Sequence, residues 1–242
     1  MFSPDATPDV AARPAPIGGE RELKFTMPAA RAQLARRRLE ALCRRDPEFP
    51  AAIVWTIYYD TPALVSLGEK VNSDYLKRKI RVRWYSDIEG RVTGPAFVEA
   101  KLRVGNLRSK ARARLPYPAD QVSGWDLQDA RLQPLPLLLR DQGVLGQDAW
   151  QPLMLLRYRR DRFIEPLTQS RVSLDAEIAA VRVNPRFVSV TDRSPLATAV
   201  LEVKGGADEL PAVLRPILAL GSRKSSFSKL LVVYAHLTRT TL

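Results

Sequence analysis

The chain has 242 residues, enough for one large domain or two small ones, and its hydrophobic content of 45% is that of an ordinary globular protein. Its formal charge of +12, most of it from arginine, points to an anionic partner: nucleic acid, phosphate-rich small molecules or a membrane surface. One cysteine, Cys43, and one histidine, His236, exclude an intrachain disulfide framework, zinc fingers and Cys/His or Ser/His catalytic pairs. A bound metal must then take oxygen ligands, which favours magnesium, manganese or calcium.

The opening "MFSPDATPDVAARPAPIGG" lacks a basic start followed by an apolar core, so it does not read as a secretory signal. Its Pro, Ala and Gly content reads as a disordered leader over residues 1–19, ahead of a single domain over 20–242. No apolar run reaches about 18 residues, so no membrane span is expected and the cytoplasm is the default location.

From there the signal is a series of period-two strands. In "ERELKFTM", Glu20, Glu22 and Lys24 share one face. "AIVWTIYYD" is apolar throughout and ends at the turn signal Asp60-Thr61-Pro62. In "KRKIRVRWY", Lys79, Arg81 and Arg83 alternate with Ile80, Val82 and Trp84. Glu99, Lys101 and Arg103 form the next column, then Arg108, Lys110, Arg112 and Arg114. Beyond a Pro/Gly-rich stretch at 116–152, read as a helical connection inside the domain, Tyr158, Arg160 and Arg162 share a face. Arg171, Ser173, Asp175 and Glu177 share another, and Glu202 and Lys204 a last one. Helices are expected over 28–45, around "ELPAVLRPILAL" with a break at Pro216, and over "SSFSKLLVVYAHLTRTTL", where serines can cap the start.

A single strand of this kind normally turns its charges to solvent. The columns together are too rich in cations for that reading: like charges about 4 Å apart repel by roughly 4 kcal/mol at an effective dielectric near 20. About eight strands can close into a barrel wide enough for one ligand. The fold expected is therefore α+β, an antiparallel β-barrel tunnel with a charged, hydrated interior and helices packed outside. Its cations would hold phosphate oxygens and its few carboxylates a divalent metal. Arg36, Arg37 and Arg38 read as a solvated helix face, and Cys43 and His236 as packing or surface residues.

These segments resemble the VTC domain, the polyphosphate polymerase module of the triphosphate tunnel metalloenzyme superfamily, which includes the CYTH enzymes. The matching stretches are "ERELKF", "YYDTP", "KRKIRVRWY", "FVEAKLRVGNLRSKARARL", "LRYRRDRFIEP", "RVSLDAEI", "AVLEVKGG" and "SSFSKL", in family order over about residues 20 to 235. The resemblance implies binding of ATP and polyphosphate with Mn2+ or Mg2+, and transfer of the ATP γ-phosphoryl group to a growing polyphosphate chain. It implies phosphate contacts from Lys24, Lys79, Arg81, Arg83, Lys101, Lys110, Arg160, Arg171, Ser228 and Lys229, with Arg81, Arg83, Arg160, Arg171 and Glu202 carrying catalysis. Glu202 matches the metal-binding glutamate.

Glu22, Glu99 and Asp175 are further candidates for holding metal or water, or equally for internal salt bridges. Lys204, Arg112 and Arg162 stand between ligand contact and structural pairing. The sequence departs from the family pattern at Leu230, where an aromatic is common, and in having only Lys224 as a lysine before "SFSKL". It also lacks an SPX sensor domain and membrane segments, so a membrane partner would be a separate subunit. The "ERELK" start resembles the ExExK signature of the triphosphatases. The functions expected are therefore a polyphosphate polymerase, a triphosphatase acting on the same ligands, or a non-catalytic polyphosphate-binding module. Nucleic-acid binding is disfavoured for want of aromatic stacking platforms, and the common nucleotide folds for want of GxxxxGK or GxGxxG.

Overall fold

Residues 21–72, 74–105, 107–143, 149–206 and 208–241 are described by a computed structural model; the expected leader over 1–19 lies outside them. The strands form where the alternation is strongest: β1 (Arg21–Pro28), β3 (Ala51–Asp60), β4 (Leu76–Ser86), β5 (Val92–Val104), β6 (Leu107–Pro118), β7 (Gln151–Ile164), β8 (Arg171–Val183) and β9 (Thr198–Gly205). Two-residue strands, β2 (Arg44–Arg45) and β10 (Arg223–Lys224), complete one sheet of ten, ordered β10-β1-β9-β8-β7-β3-β4-β5-β6 with β2 on β7. Each adjacent pair is antiparallel.

The expected closed barrel of about eight strands is corrected here. The eight long strands are present, but β6 and β1 lie toward opposite ends of the strand order and do not pair. The sheet instead curls until β1, β9, β5 and β6 all face one basin. Part of the edge that β1 would offer to β6 is already taken, because β10 pairs there with Phe25 and Thr26.

The orientation of β4 follows the expected one. Ile80, Val82 and Trp84 are buried on the outer, convex side with Ala100 and Ala111, under α3 (Ala119–Gly124) and a 3-10 segment over Leu135–Gln142. Trp84 stacks on Trp55 with ring centroids 6.2 Å apart. On the same side of the sheet, α1 (Ala32–Leu42) buries Ala35 and Leu39 with Leu201, Leu214 and Ile217. The helix expected over 28–45 thus begins later and ends sooner: Pro28 closes β1, and Arg44 and Arg45 pair as a strand with Ile164 and Phe163. Arg38 is not simply solvated, because its Nη1 donates to the Pro216 carbonyl at 2.6 Å.

One helix departs from the expected outer layer. α4 (Lys229–Thr238) buries Leu230, Val233 and Leu237 against Val54, Leu156, Ile178 and Val200. These strand residues belong to the inner face, since Val54 pairs with Tyr85 and Tyr158, whose side chains line the basin. The helix fills one end of the curl and leaves the other to the charges. β3 is apolar on both faces for this reason: Ile57 and Tyr59 pack outward, and Val54 packs on α4.

A short helix, α2 (Val65–Val71), is clamped at the basin's edge. Asp60 accepts from Thr61, Ser66 and Leu67 backbone N–H groups at 2.8, 2.8 and 3.0 Å, which satisfies the donors of the helix start. Glu69 of α2 takes the Arg78 backbone N–H at 2.6 Å and its Nε at 2.9 Å. Among the described residues no helix is long and apolar enough to cross a membrane.

Candidate phosphate-binding basin

The basin encloses about 520 Å3. Its cations arrive in cross-strand rows because β4, β5 and β6 pair in strict register. Lys77, Arg103 and Arg108 form one row, Lys79, Lys101 and Lys110 the next, and Arg81, Glu99 and Arg112 the third. Side chains directly opposite on such strands stand about 5 Å apart, where like charges destabilise the sheet. Only the third of these rows contains a carboxylate.

Glu99 is 3% exposed and gathers four cations. Arg81 donates Nε and Nη2 to one oxygen at 2.8 and 2.6 Å, and Lys110 and Arg112 approach the other at 3.5 and 3.4 Å. Burial would raise its pKa, but Arg81, Arg83 and Lys110 outweigh that and hold it far below the usual carboxylate range. Arg83 also donates to Thr56 Oγ1 and the Tyr158 hydroxyl, both at 3.2 Å.

A second such group lies at the opposite wall. Arg160 makes a two-pronged pair with Asp175 at 2.6 and 2.7 Å, and Lys229 Nζ reaches the same carboxylate at 2.5 Å. Burial opposes ionisation of Asp175, yet Arg160 and Lys229 depress its pKa. The Tyr158 ring sits under both cations, at 5.5 Å from Arg160 and 4.7 Å from Lys229.

Within the lysine row Lys110 leans on Glu99, but Lys79 and Lys101 make no ion pair among the described residues. Lys79 donates Nζ to Ser228 Oγ at 2.9 Å. Burial, with Lys24, Lys70 and Arg81 nearby, lowers its pKa to about 7. Lys101 falls to about 7 as well, through burial, Arg81 and Lys204, with Glu22 and Glu202 opposing. Tyr58 feels the converse field: burial pushes its phenol up, but Arg81, Arg83 and Lys229 carry it below its ordinary value.

Every residue expected to contact phosphate lines this basin: Lys24, Lys79, Arg81, Arg83, Lys101, Lys110, Arg160, Arg171, Ser228 and Lys229. Glu22, Glu99, Glu202, Lys204 and Arg112 line it too. Asp175 lies beneath, fully buried behind Arg160. Arg162 is turned aside, donating to the Phe49 carbonyl at 3.2 Å and lying 5.6 Å from the Tyr85 ring. Lys224 is exposed on β10, where it pairs with Phe25. Glu177 drops out of its column because β8 bulges there, with a positive φ of 55°, and its carboxylate turns to Arg157 at 3.9 Å. Ser228 does start α4, but no side-chain cap forms, and its hydroxyl serves Lys79 instead.

The sequence reading missed Lys70, Tyr58 and Tyr85, all of which line the basin. Lys70 is on α2, and its only signal was its place just after "YYDTP". The tyrosines were hidden in strands whose aromatic content read as core.

Among the described residues no group of three or more His, Cys, Asp or Glu could hold a metal. The carboxylates differ in what surrounds them. Glu99 and Asp175 are engaged by arginine forks. Among the described residues Glu22 and Glu202 meet only lysines by direct ion pair, Lys24 at 3.1 Å and Lys204 at 2.8 Å. In the β1–β9 register, Glu22 lies opposite Lys204, and Lys24 opposite Glu202. Burial works against the Glu202 charge, but Arg160, Lys204, Lys24 and Lys229 hold its pKa well down. Glu22 and Glu202, on neighbouring strands and both lining the basin, supply the hard oxygen donors that a divalent cation drawing its remaining ligands from phosphate and water would take.

The VTC domain family matches residues 20–238. No curated protein matches the chain. Among solved structures, a Hippeastrum protein named as an adenylyl cyclase and described as having a dominant triphosphatase activity superposes with a TM-score of 0.51 at 14% identity. That match covers 88% of this chain and 94% of the other. A Bacillus halodurans protein named as an adenylate cyclase gives 0.48 at 11% identity, over 87% and 95%. A Vibrio parahaemolyticus protein of the same designation gives 0.41 at 12% identity, over 83% of each chain.

Proposed function

The chain belongs to the VTC domain family, and on that premise we propose that residues 20–242 form one polyphosphate polymerase-type phosphotransferase unit. In this reading it moves the γ-phosphoryl group of ATP to a polyphosphate chain. The observation that carries the reading is the basin itself: consecutive rows of cations from β4, β5 and β6 face Lys24, Arg160, Arg171 and Lys229 across one cavity. A linear polyanion with a negative charge on every phosphate answers that field along its length.

Phosphoryl transfer needs positioning and charge stabilisation more than covalent help. Arg81 and Arg160 suit the first task. Their carboxylate partners fix the guanidinium planes before any ligand arrives, so little ordering remains to be done on binding. Lys79 and Lys101 suit the second: phosphate oxygens beside them would favour their charged forms, so charge is added where the anion lies. Ser228 orients Lys79 from the start of α4. Glu22 and Glu202 would hold Mn2+ or Mg2+, which when bound would neutralise charge developing on the transferred group.

Water in place of the chain end would make the same site a triphosphatase, the reading favoured by the "ERELK" start and the Glu22 position. Incubation of the protein with ATP and Mn2+, with products separated by chain length, decides among the readings. Long chains support the polymerase, and phosphate alone supports hydrolysis. Tight polyphosphate binding without turnover leaves a binding module.

A further inference from the structure

One end of the sheet carries an apolar tip that the basin does not use. Beyond the cation row Lys77–Arg103–Arg108, the next row is Leu76, Val104 and Leu107, paired side by side at the ends of β4, β5 and β6. All three are exposed, Leu107 at 73%. Tyr75 lies across this tip, 74% exposed, and Val71 at the end of α2 adds another exposed apolar side chain. The Tyr75 ring lies over the Gly105 backbone. Gly105 has a φ of +59°, and a Cβ there would come within 2.6 Å of the ring, so a larger residue would be strained and would displace the ring. The Gly105 N–H donates to the Tyr75 carbonyl at 2.9 Å.

Single exposed apolar residues mean little, but this is a contiguous group on otherwise charged elements. Directly behind it stand Lys70, Lys77, Arg103 and Arg108. Glu69 beside them is engaged by Arg78, and Asp74 is the one other carboxylate on the segment 69–77.

We propose that this tip docks on an anionic lipid bilayer, with Tyr75, Leu76, Val104 and Leu107 entering the interface and the Lys77–Arg103–Arg108 row lying at the headgroups. The spacing favours a bilayer. The apolar row lies one residue, about 3.4 Å, nearer the strand ends than the cationic row, with its side chains on the opposite face, so an end-on approach brings the apolar row into the interface ahead of the cations, which then meet the headgroups. Tyrosine, with an apolar ring and a polar tip, suits that boundary. Docking would turn the cation-rich mouth of the basin toward the membrane surface. The proposal stands on the tip alone and does not depend on which reaction the basin performs.

Flotation of the full chain with vesicles of phosphatidylcholine, and of phosphatidylcholine containing about one third phosphatidylglycerol, tests it at about 0.1 M salt. The protein is expected to float with the anionic vesicles only, and less as salt rises. Tyr75→Ser combined with Leu107→Ser should cut the bound fraction about tenfold or more while leaving triphosphate affinity unchanged. Leu167→Ser, at an equally exposed site elsewhere, should leave flotation intact, and circular dichroism should show both variants folded. The proposal is overturned if anionic vesicles fail to bind, if neutral vesicles bind equally, or if the double variant floats like wild type. It is likewise overturned if wild type is a dimer that the double variant dissociates, which would make the tip an interface between copies.

Discussion

Two adjacent rows of the same three strands behave differently. Arg81, Glu99 and Arg112 form a compensated row, whereas Lys79, Lys101 and Lys110 form a row of cations alone. The first is built to be rigid: the forked Arg81 and the buried Glu99 fix each other's geometry. The second is held under electrostatic tension, visible in the lowered pKa values of Lys79 and Lys101. An anion relieves that tension. The residue types match the tasks, since arginine stays charged through burial and lysine can give up its proton.

The largest expected effect falls on the compensated row. Glu99→Gln leaves Arg81 without its counter-charge in a buried site and should destabilise the fold by about 3 kcal/mol in urea denaturation. A loss under about 1 kcal/mol would show that solvent already screens the row. Next is Glu202→Gln, which keeps the shape but removes the charge held among Lys24, Lys204 and Arg160. Turnover should fall about 100-fold or more in the Mn2+ assay, and full activity would remove Glu202 from the metal site.

The lysine row gives a pH signature of intermediate size. With their pKa values lowered to about 7, Lys79 and Lys101 should gain protons when phosphate binds beside them. Binding therefore takes up protons, and triphosphate affinity should fall as pH rises above about 7, by up to about tenfold per pH unit for each lysine. Stability of the free protein should move the other way. Between pH 7 and the ordinary lysine pKa the unfolded chain binds more protons than the folded one, so these two lysines make stability rise over that window. Lys79→Arg, always charged, should flatten the affinity profile measured by calorimetry. The smallest effect is Ser228→Ala. It removes the Lys79 hydrogen bond but no helix cap, so thermal unfolding should change by about 1 kcal/mol or less, with the loss appearing mainly in phosphate affinity.

The charge columns were legible because a strand's period of two leaves little freedom once one face is apolar. Arg81, Lys101 and Lys110 could be placed on one wall from alternation alone. Glu177 could not be excluded from its column, because a one-residue bulge leaves no mark in the alternation before it. Lys70 was invisible for another reason: a seven-residue helix has no direction in the sequence until Asp60 and Glu69 anchor it to its neighbours. Arg162 shared its column's alternation yet was drawn aside by Phe49 and Tyr85, partners far away along the chain.

By itself the sequence determined that the long strands other than β3 each have one charged and one apolar face, and that the charged faces belong together, because their spacing and mutual repulsion follow from local geometry and Coulomb's law. Only the tertiary structure decided that the sheet stays open rather than closing into a barrel, that α4 fills one end of its inner face, and which carboxylates are locked to arginine and which pair with lysine. Those outcomes depend on strand order, curl and long-range pairing, which no local pattern encodes.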